Sequence, residues 1–289
     1  MKIFKIFDRS ECCALAAIAT IVAAVAVSGC GNKVNNVRAQ AGESVGRVID
    51  ECGVVQLVDT TKKTVYLVFT AEVSQNDNGW FENFDGVFPV LDTLADRGVK
   101  GSFFPTGNCF RAEKYADAIR RIISEGHYLS HHSDHHLHLC TEDAERKTLV
   151  SMDSLKVDIS GVEAELRKFG LEPEQYPWMI PPYEEYNAET AANLMQLGYK
   201  LVNPSRGLVT GSDWMGEDAG HYVSARQLVR NIWDYEDSHS YGLNGAVILV
   251  HAMSYPCRRD DDRMWWYLGE VIDGLRERGY DFGTFADVE

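Results

Sequence analysis

The 289-residue sequence is poor in basic residues, and this shortage excludes several classes of function. It has 28 Lys and Arg residues against 43 Asp and Glu residues, which gives a formal net charge of −15. A nucleic-acid-binding domain needs a basic surface to meet the phosphate backbone. A polybasic attachment to anionic lipid needs a similar surface. We therefore expect no nucleic-acid partner and no polybasic attachment to membranes.

Other absences narrow the possibilities further. Neither standard spacing of the glycine-rich loops that cradle phosphates occurs, and no repeat of fixed period stands out. The apolar run at residues 12–27 is too short for a comfortable transmembrane span. Because 45% of the residues are hydrophobic and 11% are aromatic, the chain can nevertheless bury a core. We expect an acidic, enzymatic domain with a segment attached at its front.

That segment, residues 1–30, is typical of a processed leader. A basic start precedes the apolar run, which ends in Val27-Ser28-Gly29-Cys30. This ending resembles the lipobox of bacterial lipoproteins, in which the Cys thiol takes the lipid. We expect lipidation at Cys30 and a cell-envelope location, at the outer membrane, in the periplasm or on the surface. The alternative is an uncleaved anchor helix.

The remaining chain divides into a polar tether, residues 31–52, and a catalytic domain, residues 53–289. Four cysteines follow the lipobox, and none has the spacing of a zinc knuckle. In an oxidising compartment they could form two disulfides with three possible connectivities, or remain buried thiols. These four are Cys52, Cys109, Cys140 and Cys257.

Apolar strand candidates alternate with amphipathic helix-length segments through the catalytic domain, which predicts an α/β fold with a parallel sheet. Residues 54–58 and 65–69 flank Thr60-Thr61-Lys62-Lys63, which favours a short β-hairpin that leads into the first core strand. Seven strands over this length fit a barrel better than an open sheet. The predicted strands are 65–69, 101–104, 127–130, 178–180, 200–202, 246–250 and 280–282. The predicted helices are 87–97, 112–124, 142–169, 188–197, 225–235 and 263–278.

Histidines are concentrated directly after one predicted strand, in Gly126-His127-Tyr128-Leu129-Ser130-His131-His132-Ser133-Asp134-His135-His136-Leu137-His138. Imidazoles at i and i+4 lie on one face of a helical turn and can bind one cation. Because active sites of parallel α/β proteins lie at the carboxyl edge of the sheet, this placement favours a metal site. Several histidine pairs have this spacing, so the spacing alone does not choose among them.

From about Val54 to the C-terminus the chain resembles the NodB-homology polysaccharide deacetylases, carbohydrate esterase family four. His132-Ser133-Asp134-His135-His136 resembles the family's His-Ser/Thr-x-x-x-His motif, which implies that His132 and His136 bind a divalent metal. Zinc is the ion that the resemblance favours. The resemblance also implies a distorted (β/α)7 barrel and an acetylated glycan substrate.

Three later motifs agree in part with the family. Pro181-Pro182-Tyr183 resembles its Pro-Pro-Tyr wall, where the Tyr183 backbone N–H would help to bind the oxyanion. The segment that ends in Leu249-Val250-His251 resembles its Leu-x-His motif. Leu249 would then line the acetyl pocket, and His251 would protonate the leaving group. Asp213-Trp214 resembles its Asp-Trp element, in which Asp213 orients the catalytic histidine and Trp214 packs the pocket.

The chain departs from the family where Thr-Phe-Asp-Asp-Gly is usual. Val68-Phe69-Thr70-Ala71-Glu72 stands there, so the aspartates that serve as base and metal ligand are absent, and Ile180 replaces the arginine that braces the base. We expect Glu72 to complete the metal site and Glu184 to act as base. Asp77, Glu82, Asp85 and Asp134 are the fallback candidates.

These motifs predict a metal-dependent hydrolase that removes N- or O-linked acetyl groups from carbohydrate polymers or oligosaccharides. One alternative is a catalytically impaired, glycan-binding surface lipoprotein. A second is a metal-dependent amidohydrolase of small C–N substrates.

Overall fold

The computed structural model describes residues 46–73, 83–253 and 258–289. The predicted leader, Cys30 and Cys257 lie outside these ranges, as do the fallback candidates Asp77 and Glu82. Within the described ranges, no helix has both the length and the apolar composition to cross a bilayer.

A parallel sheet of five strands forms the centre of the molecule, in agreement with the predicted α/β class. β3 has β4 on one side and β8 on the other, β5 extends the sheet beyond β4, and β9 pairs with the start of β3. A separate parallel pair joins β6 to β7. The strands are β1 (Val48–Ile49), β2 (Val55–Leu57), β3 (Thr64–Ala71), β4 (Ser102–Pro105), β5 (Tyr128–Leu129), β6 (Trp178–Met179), β7 (Lys200–Leu201), β8 (Val247–His251) and β9 (Asp281–Gly283).

The seven predicted strands all correspond to observed ones, β3 to β9, but the predicted hairpin has a different composition. β2 pairs antiparallel with β1 and not with β3, while single bridges connect it to Val202 and Ala246. Residues 46–52, predicted as the end of the tether, therefore belong to the folded part. Asp50 fixes this segment, since it accepts hydrogen bonds from the Cys52 and Val54 amides and from the Tyr186 hydroxyl.

Seven α-helices alternate with the strands in the described residues. They are α1 (Val87–Asp96), α2 (Gly107–Arg111), α3 (Ala116–Ser124), α4 (Met152–Lys168), α5 (Ala188–Gln196), α6 (Ala225–Ser238) and α7 (Leu268–Glu277). The predicted helix over 142–169 is wrong in its first part. The Ser151 hydroxyl accepts a hydrogen bond from the Ser154 amide, and this N-cap starts α4. The preceding residues form a loop in which the Asp143 carboxylate accepts the Glu145 and Arg146 amides.

Alternation along β3 separates two apolar cores. Val65, Leu67 and Phe69 pack with the helices in the larger cluster. Tyr66 and Val68 face the other way, into an interior cluster with Phe104, Leu249 and other strand residues. Thr70 and Glu72 follow on this interior side as β3 ends. The carboxyl ends of the strands therefore surround one mouth above the interior core.

Candidate active site

His132 follows β5 and is oriented by a backbone carbonyl. Its Nδ1 lies 2.7 Å from the Ile180 carbonyl oxygen, which can only accept a hydrogen bond. Nδ1 therefore carries the proton, and Nε2 keeps its lone pair. Burial lowers the pKa of His132 well below its usual value, and the neighbouring His136 adds to this effect. A neutral imidazole with a free Nε2 is the form that binds a metal ion.

His136 is brought to His132 by a loop and not by the helical turn that its spacing suggested. Ser133 and His136 both have left-handed backbone angles, with φ of 67° and 52°, and the His136 amide donates to the Ser133 hydroxyl. The two ring centroids lie 4.9 Å apart. The structure thus brings the predicted pair together, although by a local conformation that the sequence pattern did not indicate.

Glu72 extends from the end of β3 to this pair. Its Oε2 lies 2.7 Å from Nδ1 of His136. Two roles fit this contact, since the carboxylate could bind the same cation or could hold the imidazole in position behind it. The structure therefore brings Glu72 to the His132–His136 pair, and its role as a metal ligand stays a prediction.

Glu184 approaches the pair from the opposite wall. Its Oε1 lies 3.8 Å from Nε2 of His132, and this oxygen is buried without a hydrogen-bond partner in the described protein. Burial raises the pKa of Glu184, while the His251 and His136 imidazoles oppose the rise. A buried carboxylate with a raised pKa is suited to accepting a proton from water near neutral pH.

The Pro-Pro-Tyr wall holds Tyr183 and Glu184 in a strained conformation. Both residues have left-handed backbone angles, with φ of 58° and 55°. Side chains other than glycine adopt this conformation at a cost of about 1–2 kcal/mol each. The Tyr183 ring lies 4.1 Å from the His136 ring and stacks on His138 at 3.7 Å.

His251 ends β8 and is held by Asp213 at two points. The His251 amide donates to Asp213 Oδ2 at 2.8 Å, and Nδ1 lies 2.6 Å from Oδ1. Asp213 thereby fixes the ring and leaves Nε2 for proton transfer. The Trp214 ring lies 6.5 Å from the His251 ring, and Leu249 is buried in the interior core below it. The structure brings these four predicted residues together.

The donor set at the mouth fits a divalent metal. Two imidazoles, of which His132 is neutral with its Nε2 lone pair oriented, lie between the Glu72 carboxylate on one side and an unpartnered buried oxygen of Glu184 on the other. Nitrogen and oxygen donors of this kind bind zinc and related divalent ions. His132 and His136 would hold the ion, with Glu72 as the third candidate ligand.

Comparison with known proteins places the chain in a family. The sequence profile of the polysaccharide deacetylase family matches residues 58–202, which is half of the chain. The chain belongs to the polysaccharide deacetylase family. The match ends before Asp213 and His251, so the structure alone places these two residues at the site.

Individual relatives agree with this membership. The chain is 28% identical over 262 residues to the peptidoglycan-N-acetylmuramic acid deacetylase of Bacillus subtilis, covering 90% of this chain and 84% of that protein. The solved structure of that family 4 carbohydrate esterase superposes with a TM-score of 0.61 at 24% identity, over 82% of this chain and 85% of that one. The NodB-type fold predicted from the motifs is confirmed.

A third comparison concerns a protein described as a pseudoenzyme. A family 4 carbohydrate esterase pseudoenzyme of Bacillus anthracis superposes with a TM-score of 0.59 at 15% identity, covering 81% of this chain and 68% of that chain. At this identity the likeness concerns the fold alone. Some proteins with the polysaccharide deacetylase fold are thus described as pseudoenzymes.

Several other histidines of the chain make contacts within the fold. His127 accepts a hydrogen bond from the Gly101 amide, and burial lowers its pKa to about 4. His131 accepts from the Ser133 amide and packs edge-on against Tyr199, and burial lowers its pKa to about 3. His135 contacts the buried Asp158. His138, Glu142 and Glu185 bring donor atoms within 4.8 Å of one another beside the Tyr183 ring.

Two fallback candidates for the base lie outside the site. Asp134 is buried in an ion pair with Arg111 at 2.7 Å, packed against Gly107 and Gly161. Asp85 accepts a hydrogen bond from the Tyr115 hydroxyl. Both carboxylates therefore have structural partners.

Two residues that no sequence motif indicates shape the His251 side of the site. Arg258 is fully buried and donates to the carbonyls of Ser212 and Met215, which flank Asp213. Gly211 lies so close to Leu249 that an added Cβ would stand 3.3 Å from its Cδ2. Arg258 is a single arginine that belongs to no motif, so no pattern in the sequence could have identified it.

The three described cysteines form no disulfide with one another. Cys52 and Cys140 are free thiols, and Cys109 contacts the Ala71 carbonyl through its sulfur at 3.5 Å. Of the two alternatives that the sequence left open, the described residues agree with thiols.

Proposed function

We propose that the protein is a metal-dependent hydrolase that removes N- or O-linked acetyl groups from carbohydrate polymers or oligosaccharides. The observation that carries the proposal is the arrangement at the mouth. The adjacent imidazoles of His132 and His136 lie between the carboxylates of Glu72 and Glu184. Family membership supports a carbohydrate substrate, and similarity to the peptidoglycan-N-acetylmuramic acid deacetylase of Bacillus subtilis supports an acetylated amino sugar.

Glu184 is the proposed base. A water molecule between this carboxylate and the imidazole pair gives one proton to Glu184, and its oxygen attacks the acetyl carbonyl carbon. The carbonyl π electrons move to the oxygen, where the Tyr183 backbone N–H stabilises the negative charge. The raised pKa of Glu184 makes its carboxylate a stronger base toward the proton of this water.

His251 is the proposed acid. Its Nε2 gives a proton to the departing nitrogen or oxygen of the sugar as the bond to the acetyl carbon breaks. The products are acetate and the free amine or hydroxyl. Asp213 stabilises the imidazolium that this step requires, because its carboxylate lies 2.6 Å from Nδ1. Leu249 and Trp214 are the proposed walls of the acetyl pocket.

A divalent cation held by His132 and His136 would supply Lewis acidity, which polarises the acetyl carbonyl and makes water a stronger acid. Zinc is the proposed ion, because its preferred ligands are of the types found here. The lipobox at Val27–Cys30 further supports a protein attached through lipid at Cys30 to the bacterial cell envelope, where acetylated glycans occur.

Acetate release from acetylated oligosaccharides, measured with and without a chelator, tests the proposal. We expect release that the chelator abolishes and that added zinc restores. Glu184→Gln should lose release, whereas His131→Asn, in a buried histidine with structural contacts, should keep it.

A glycan-binding protein without turnover is the second candidate, because both aspartates of the family motif are replaced by Thr70 and Ala71. Binding of the same oligosaccharides without acetate release would favour it. Turnover of small cyclic amides without turnover of sugars would instead favour an amidohydrolase.

A further inference from the structure

Thr70 stands out as a buried hydroxyl that the fold does not use. The residue is only 1% exposed, and its Oγ1 has no hydrogen-bond partner among the described residues. Its backbone is satisfied, since its carbonyl accepts the Ala252 amide. A buried hydroxyl without a partner destabilises the fold relative to an apolar group of the same shape. Its presence therefore points to a ligand that forms the missing hydrogen bond.

The position of Thr70 shows where such a ligand would lie. Tyr66 and Val68 face the interior core, so alternation along β3 turns Thr70 toward the same side, at the mouth. Thr70 stands directly beside His251 in the register between β3 and β8. Glu72 follows two residues later on the same side and reaches His136. The hydroxyl thus lies on the floor of the mouth, between the residue proposed as acid and the proposed metal site.

We propose that the Thr70 hydroxyl orients the attacking water, a role that rests on the proposed hydrolase function. The water has two protons, and Glu184 takes one of them. Thr70 Oγ1 accepts a hydrogen bond from the other, which turns an oxygen lone pair toward the acetyl carbonyl. Thr70 takes no proton and forms no covalent bond, so Glu184 remains the base. A sugar hydroxyl is a less suitable partner, because Thr70 lies at the floor of the mouth and is almost completely buried.

Thr70→Val tests this role because valine has the same shape and lacks only the hydroxyl. We expect kcat for acetate release to fall at least tenfold while KM changes less than twofold, because the water and not the sugar loses its partner. Thr70→Ser should restore most of kcat. The melting temperature of Thr70→Val should stay the same or rise, since an unpaired buried hydroxyl has been removed.

Thr190→Val is the matched control. Thr190 is also fully buried, but its hydroxyl accepts the Asn187 amide in the capping box of α5. We expect this control to lower the melting temperature and to leave kcat unchanged. Thr70→Val should therefore lower kcat without lowering the melting temperature, and Thr190→Val should lower the melting temperature without lowering kcat.

Wild-type kcat in Thr70→Val would overturn the role of Thr70 and leave the hydrolase function intact. A fall in both kcat and melting temperature would also overturn it, because the hydroxyl would then have a structural partner. Absence of turnover in the wild-type protein loaded with zinc would refute the hydrolase proposal, and the role of Thr70 with it.

Discussion

At the scale of single residues, the site is where the backbone is strained. All five non-glycine residues with left-handed φ in the described ranges lie on the two loops around the mouth. They are Ser133, His136, Arg146, Tyr183 and Glu184. Strain that persists at a cost of about 1–3 kcal/mol per residue is commonly found where a functional geometry requires it. The sequence could not reveal this feature, because none of these residues is a glycine, the residue type that indicates a left-handed position.

Glu184 allows this interpretation to be tested by separating strain from chemistry. Glu184→Gly should raise the free energy of unfolding by about 1 kcal/mol, because glycine adopts a φ of 55° without steric cost. The same change should abolish acetate release, since the base is gone. Chemical denaturation and a turnover assay on the same samples measure both quantities.

Glu184→Gln is the matched variant, because it removes the charge and keeps a side chain at the strained backbone position. We expect it to lose activity like the glycine variant but to gain no stability from relief of backbone strain. Activity retained in both variants would show that Glu184 is not the base.

His127 gives a prediction about pH. Its pKa is about 4 in the folded chain and near 6.5 in an unfolded one. Between these values the unfolded chain binds a proton that the folded chain does not, so stability falls as the pH falls through this window. From pH 7 to pH 5 this histidine should account for a loss of about 2 kcal/mol.

His127→Gln isolates this contribution, because the glutamine carbonyl can still accept the Gly101 amide. Urea denaturation of the two metal-free proteins at pH 7 and pH 5 should show a smaller acid loss in the variant, by about 2 kcal/mol. Equal losses would mean that His127 is not buried in its neutral form.

At the scale of elements, strands were predicted better than the loops that carry the chemistry. Short apolar runs such as Val65–Phe69 must be buried on both faces in a parallel sheet, so composition identified them. His132 and His136 were expected on a helical turn, yet left-handed residues at Ser133 and His136 bring them together. The spacing therefore predicted that the two rings lie close together, although a loop and not a helical turn brings them there. Glu184 was likewise chosen because it directly follows the Pro-Pro-Tyr motif, and not because its own spacing indicated a base.

The turn Gly211–Trp214, which presents Asp213 to His251, depends on a distant arginine. Arg258 is 1% exposed and pairs with Asp262 at 3.0 Å while it donates to carbonyls on both sides of Asp213. Arg258→Ala leaves a buried carboxylate and four backbone carbonyls without this partner. We expect the free energy of unfolding to fall by about 3–5 kcal/mol.

Turnover by the folded fraction of Arg258→Ala should also fall, because the turn no longer holds Asp213 against His251. Arg259→Ala, next to it on the surface, should change neither quantity appreciably. Urea denaturation followed by a turnover assay in zinc-containing buffer measures both effects. Wild-type stability in Arg258→Ala would contradict the anchoring role.

At the scale of the whole molecule, the fold was predictable and the completion of the site was not. The order of the motifs after β5, β6 and β8 follows the polysaccharide deacetylase family, which identified the architecture and indicated most of the candidate site residues. The departure at Thr70 and Ala71 left the third metal ligand and the base to be chosen among several carboxylates. Only distances in the folded chain separate Glu72 and Glu184 from Asp134 and Asp85.

The metal content of the full chain after dialysis against zinc-free buffer tests the central claim most directly. Zinc should remain bound to the wild-type protein and to His131→Asn, and His138→Ala should keep it although its cluster with Glu142 and Glu185 is broken. His132→Ala should lose this zinc and all acetate release. Zinc retained in His132→Ala at the wild-type level, or lost in His138→Ala, would contradict a catalytic metal held by His132 and His136.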